Sequence, residues 1–331
     1  MKPLAHTADL PDPPEVPAPV TADLVHVEAR LAEELDSREP RLGAIGRHLI
    51  DAGGKRVRPT VVLLIYHAAA GPGLARRDDA IEVAVALELI HSATLLHDDI
   101  IDGGEVRRGK PSALRTFGLA DTLVAGDFLF SRAFALCARF EAEVIRWAAE
   151  ACVSLTEGEI MQGRFRHDPA VTVDDYLEII ERKTASLFTA GAKTAAHIAG
   201  APPDVVAAMA SYGRHVGLAF QTSDDLLDVG HTAVTGKPRG IDLRDGNPSL
   251  PIVLGLAIDP ELRRLFTKRR LEPNEVEQGI ACIRRSGVLA EVGAATTRHV
   301  HAALAEIGRL PASPYRTMLE TLAQGLGDRP T

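Results

Sequence analysis

The chain has 331 residues, with 37 Lys and Arg against 45 Asp and Glu, a net charge of -8, and 4% aromatic residues. That acidic balance argues against a nucleic-acid surface. Three widely spaced cysteines in apolar surroundings, Cys137, Cys152 and Cys282, fit neither a disulfide framework nor a zinc site and point to a reducing cytoplasm.

Residues 1–20 contain Pro11, Pro13, Pro14, Pro17 and Pro19 and lack the apolar stretch of a signal peptide, so they read as a disordered or extended tail. Residues 21–331 read as one all-α domain, with apolar residues at three-to-four spacing in runs such as 142–155 and 288–307 and no convincing alternating strand. No uninterrupted apolar run is long enough to span a bilayer. Gly53-Gly54-Lys55-Arg56-Val57-Arg58-Pro59 sets three cations between flexible glycines and a proline suited to a first helical turn.

The apolar segment around Val83, Val85, Leu87, Leu89, Ile90, Leu95 and Leu96 then runs into Asp98-Asp99-Ile100-Ile101-Asp102 and Gly103-Gly104. Three acids at a helix C-terminus oppose the dipole and one another. One such triplet alone would read as a solvated helix end. It recurs, however, as Asp224-Asp225-Leu226-Leu227-Asp228 before Gly230, again after a segment too apolar for a surface helix. Helical positions i, i+1 and i+4 share an arc of roughly 100°, so each triplet can present its carboxylates in one direction. A hard divalent ion such as Mg²⁺, shared between carboxylates and substrate phosphates, accounts for both clusters. The basic counterpart lies in Arg107-Arg108-Gly109, Lys183-Thr184 and Gly236-Lys237. Gly236, Pro238, Gly240, Gly246, Pro248 and Pro251 predict a long loop over Gly230–Pro251.

Taken together, and in order, these elements resemble the trans-isoprenyl diphosphate synthases, the polyprenyl synthetase family, and most of all its long-chain all-trans members. Gly158-Glu159 with Gln162, and Gly240 with Asp242-Leu243, belong to the same pattern, which runs from about Gly53 to about Leu254. The resemblance implies an isoprenoid-synthase-type helical bundle around a central cavity and a homodimer in the cytoplasm. It also implies a Mg²⁺-dependent prenyltransferase that condenses isopentenyl diphosphate with an allylic diphosphate in repeated steps, for quinone side chains, with the product delivered to the membrane. Three Mg²⁺ ions would bridge the acid motifs. Asp98, Asp102 and Asp224 would be direct ligands, with Asp99, Asp225 and Asp228 acting through charge or water. Lys55, Arg58, His91 and Arg108 would form the isopentenyl diphosphate pocket. Arg107, Lys183, Gln221 and Lys237 would clamp the allylic diphosphate beside Thr184 and Gln162, with Lys183 also among the catalytic groups. His91 lies two turns before Asp98 on the same helical face.

One departure stands out. Many members have lysine where this chain has Asn247, so either Arg239 or Arg244 substitutes or the site works with one cation fewer. Ala93 and Thr94, where short-chain members carry bulky groups, leave a path for a long product, with Leu87, Ile90 or one of Phe128, Phe130 and Phe134 as its floor. The alternatives are a geranylgeranyl or farnesyl diphosphate synthase, which needs a block at those positions, and a non-catalytic partner subunit, which typically lacks one acid motif.

Overall fold

The computed structural model describes residues 15–71, 75–107, 109–230 and 239–328. Its helices are α1 (Ala18–Glu34), α2 (Pro40–Ile50), α3 (Val57–Ala69), α4 (Arg77–Ile101), α5 (Ala113–Phe117), α6 (Leu119–Cys137), α7 (Ala142–Arg164) and α8 (Val173–Ile180). A π-helical turn, Glu181–Ala185, follows, and then α9 (Ser186–Ile198), α10 (Pro203–Val229), α11 (Ile241–Asp245), α12 (Leu250–Leu256), α13 (Pro260–Phe266), α14 (Pro273–Ser286), α15 (Leu289–Ile307) and α16 (Pro314–Gly327). The all-α class is as expected.

Two long helices, α4 with 25 residues and α10 with 27, form the centre. Helix α4 packs on α3 and α6, and α10 packs on α9 and α15. Because α4 is apolar nearly all round, it belongs inside a bundle. It is long and apolar enough to cross a membrane by composition, yet 78% of its most apolar window is buried within the fold. The buried apolar residues fall into two groups. One is built on α1, α3, α4, α6, α7 and α9 with part of α10. The other is built on α8, α12, α13 and α14 with the C-terminal part of α10.

Three local expectations change. Helix α1 begins at Ala18, with Pro19 in its first turn and Val20 fully buried, so the ordered chain reaches into the segment expected as a tail. Prolines there start a helix instead of preventing one. Residues 1–14 lie outside the described part. The Gly230–Pro251 loop contains α11 between Gly240 and Gly246, both left-handed, and Pro251 sits in the first turn of α12. Finally, β1 (Val106–Arg107) and β2 (Lys110–Pro111) pair antiparallel after the first acid motif; two-residue strands are too short to show alternation.

Candidate active site

The first acid motif ends α4 and the second ends α10, each in the last turn or just past it. The three carboxylates of each motif do not point one way, as the spacing had allowed. Both Nε and Nη2 of Arg107 reach Asp99 Oδ1 at 2.8 Å, turning this buried side chain toward the β1–β2 hairpin. Asp225 accepts from Tyr176 Oη at 2.7 Å, the Leu250 amide at 2.9 Å and Gln221 Nε2 at 2.9 Å. Asp228 accepts from the amides of Ile241 at 3.0 Å and Asp242 at 3.2 Å, at the start of α11. The reason is energetic: a carboxylate buried at a helix end requires donors, and most of these come from outside its own helix. Asp98 and Asp102 meet cations from other elements: Asp98 lies 4.0 Å from Lys183 Nζ, and Asp102 accepts from Arg166.

Lys183 is the centre of the arrangement. Its Nζ donates to Gln162 Oε1 at 2.8 Å and pairs with Glu159. Burial alone would lower this ammonium's pKa, but Asp98 and Glu159 more than offset it and hold it above its ordinary value. Thr184, the next residue, donates to Gln221 Oε1 at 2.9 Å, and Gln221 passes the chain on to Asp225. The π-helical turn thereby ties α7 and the first acid motif to the second. An extra residue per turn is a common device at functional sites. It is seated by Gly158, where a Cβ would lie 2.6 Å from the Lys183 backbone nitrogen.

On the other side, Arg58 begins α3 and stacks over Phe188, with its guanidinium carbon 4.7 Å from the ring centroid. Burial pushes its pKa down, against the pull of Glu88 and Asp224. Its Nε is buried and lacks a hydrogen-bond partner. Lys55 is exposed in the turn before α3, and His91 is half-buried on α4. Arg108 and Lys237 lie outside the described residues. The neighbouring Arg56 was passed over as a ligand, and the structure commits it to Glu28 and Glu88.

Burial also raises several carboxyl groups of the site. Asp98 is pushed up to about 6, opposed by Lys183, and Asp225 is likewise raised to about 6, opposed by its hydrogen-bond donors. Asp242 is pushed well above the usual range by burial and by Asp228, Asp225 and Asp245. Among the described residues, no three acidic, His or Cys side chains converge tightly enough to enclose an ion alone. The donor set is nevertheless oxygen-only, and Asp99 keeps a buried Oδ2 without a hydrogen-bond partner. Such a set suits a hard divalent cation that draws its remaining ligands from water and substrate phosphate. Glu159, Arg166, Tyr176 and Asp242 were not foreseen as site residues. Glu159 and Asp242 stand inside motifs already quoted; Arg166 and Tyr176 carry no local signal.

An apolar cavity opens between α4, α6, α7 and α9, with about 320 Å³ of empty space when its open mouth is counted. Its lining includes Val83, Ala86, Leu87 and Ile90 from α4 and Gly191 from α9. Continuing that α4 stripe at three-to-four spacing leads through Thr94 to Asp98. Leu87 and Ile90 line the cavity as expected, whereas Phe128, Phe130 and Phe134 are not among its lining residues.

The model of the Polyprenyl synthetase family matches residues 39–283. An all-trans-nonaprenyl-diphosphate synthase (geranyl-diphosphate specific) of Rhodobacter capsulatus is 33% identical over 95% of this chain and 97% of its own length. A geranylgeranyl diphosphate synthase of Methanosarcina mazei is 34% identical over 90% and 93%. The crystal structure of a polyprenyl synthase from Caulobacter crescentus, complexed with calcium and isoprenyl diphosphate, superposes with a TM-score of 0.88 at 36% identity, covering 94% of this chain and 95% of that one. With both acid motifs, the bridging lysine and the apolar cavity in place, the chain belongs to the polyprenyl synthetase family and is a prenyltransferase.

Proposed function

We propose that this prenyltransferase adds isopentenyl diphosphate repeatedly to an allylic diphosphate to make a long-chain all-trans-polyprenyl diphosphate, the precursor of a quinone side chain. One observation carries the reading: Lys183 sits between Asp98 and Glu159 while its neighbour Thr184 is linked through Gln221 to Asp225, so one turn of helix serves both acid motifs. Asp98, Asp102 and Asp224 would hold Mg²⁺, three ions in all, and Asp99, Asp225 and Asp228 would keep the ligand-bearing helix ends in place. Mg²⁺ supplies electrostatic stabilisation of the departing diphosphate. Lys183, Arg107, Gln221 and Lys237, with Gln162 and Thr184 beside them, hold the allylic diphosphate; Lys55, Arg58, His91 and Arg108 hold isopentenyl diphosphate. The apolar walls exclude water from the reacting carbons.

The long product rests on the path along α4. Ala93 and Thr94 carry no ring, and further along the same helix Val83, Ala86, Leu87 and Ile90 line the apolar cavity. Leu119, Leu123, Val124 and Phe134 of α6 and Val153 and Ile160 of α7 are exposed and apolar, which suits a homodimer through these helices. The buried position of α4 and three unpaired thiols fit a cytoplasmic enzyme that passes its product to the membrane.

The test is incubation with isopentenyl diphosphate, allylic primers of several lengths and Mg²⁺, followed by product chromatography. Asp98→Ala and Asp224→Ala should each lower turnover by roughly 10³-fold or more, because each removes metal-borne stabilisation of the leaving group. Near-normal rates in either variant, or in excess chelator, would overturn the reading.

A further inference from the structure

Arg166 lies just past the end of α7, on a segment fixed from both sides. The following residue, His167, donates its backbone N–H to Gly246 O at 3.0 Å, and its ring Nδ1 lies 3.1 Å from Phe266 O. Gly246 is left-handed and so close to the His167 ring that a Cβ there would lie 2.3 Å from Cε1. From this platform Arg166 Nε donates to Asn247 Oδ1 at 2.9 Å, and Nη2 donates to Asp102 Oδ1. Asn247 is itself buried, and its backbone N–H donates to Asp242 O at 2.8 Å. The two cations that the sequence suggested as replacements for a lysine at 247 are engaged elsewhere: Arg239 pairs with Glu277, and Arg244 with Asp245.

We propose that Arg166 is a diphosphate-binding cation that exchanges Asp102 for the diphosphate, with Asn247 holding its Nε in place. A guanidinium has five N–H donors in a rigid fork, so one edge can stay on Asn247 while another turns from a carboxylate to phosphate oxygens. Asp102 is released for a divalent ion in the same movement. A neutral residue at 247 is then required, since a lysine there would set two cations against each other. The proposal rests on the site being a metal-dependent diphosphate site, and it goes further by naming which cation answers for Asn247.

The exchange predicts effects of opposite sign on the two ligands. In the full-length protein, Arg166→Gln should bind Mn²⁺ alone as tightly as wild type or more tightly, because a competing cation has left Asp102. Stabilisation by inorganic diphosphate with Mg²⁺, read as a thermal shift, should weaken by on the order of tenfold in apparent affinity, the scale of a lost charge-assisted hydrogen bond. Arg166→Gln combined with Asn247→Lys should return diphosphate affinity to within about threefold of wild type by moving the cation across the contact. Parallel weakening of both ligands, unchanged diphosphate affinity, or no recovery in the double variant overturns the proposal. Should Arg166→Gln fail to fold, Arg166→Met, which also removes the cation, takes its place with the same contrast between metal and diphosphate. A wild-type protein that gains nothing from Mg²⁺ with diphosphate and makes no product would instead bring down the metal-dependent reading beneath it.

Discussion

Two histidines away from the site show how strongly burial sets chemistry in this chain. His215 Nδ1 and His299 Nδ1 lie 3.2 Å apart, with stacked rings, so one ring donates and the other accepts in a neutral pair. Burial is the main cause that pushes His299 down to about 4, helped by His215, Arg214 and Arg298 and opposed by Glu181. His215 is also lowered, first by burial and then by Arg214, against Glu306 and Glu181. A folded-state pKa below the unfolded value of 6.5 means that the unfolded chain takes up protons first as pH falls. Stability is therefore whole above about pH 6.5 and is lost through the window down to about pH 4. We expect a loss of about 1–2 kcal/mol between pH 7 and pH 4.5 from this pair, discounted for partial exposure. Urea unfolding of wild type and His299→Gln at both values checks it; if acid destabilises the two proteins equally, the pair is not the cause.

Sequence spacing reached the acids but not their orientation. Residues 98, 99 and 102 on a helix can share a face, yet Asp99 is claimed by Arg107 and Asp225 by Tyr176, 49 residues away in the chain. Partners that arrive through tertiary contact leave no local pattern, which is also why Arg166 escaped notice beside its loop. The motifs themselves were legible because their chemistry is carried within a few residues.

At the level of elements, the π-helical turn and α4 each yield a test. Gly158 is confined by the Lys183 nitrogen at 2.6 Å and Arg182 Cβ at 2.9 Å from where a Cβ would stand. Gly158→Ala should push the turn away from α7, costing about 1–3 kcal/mol of overpacking, with the displaced ammonium lowering kcat by roughly 10–100-fold. A folded variant with wild-type kcat would mean that the turn can shift without moving Lys183. On α4, Ala93 is fully buried and lies five residues before Asp98, roughly 7 Å along the axis, while Val83 at the far end of the cavity lies roughly 22 Å from Asp98. A growing tail meets position 93 early. Wild type should make products of roughly six to ten isoprene units, and Ala93→Phe should shorten them toward three or four while leaving the first condensations largely intact. Chromatography beside a melting curve separates the outcomes: lowered stability with an unchanged product ladder would show that the path does not pass Ala93. The path past Ala93 and Thr94 came from the family resemblance, whereas helix class followed from apolar periodicity. The start of α1 and the β1–β2 hairpin did not, because two or three residues are too few to establish a period.

Across the whole molecule, α10 is the shared beam. Met209, Tyr212, Val216 and Ala219 enter one buried group, while Leu218, Leu226 and Val229 enter the other. Asp225 and Asp228 are the polar joints between its end and the segment that leads into α12. The apolar cavity lies wholly within the first group, between α4, α6, α7 and α9, and none of the acids lines it. On the proposed reading, the residues that would measure the product therefore pack against different neighbours from those that would assist departure of the diphosphate. Substitutions separated in this way combine nearly additively. Side chains along one helix can therefore be trimmed or enlarged to reset the reach of the product, and each such variant should keep its acid motifs and their hydrogen bonds unchanged.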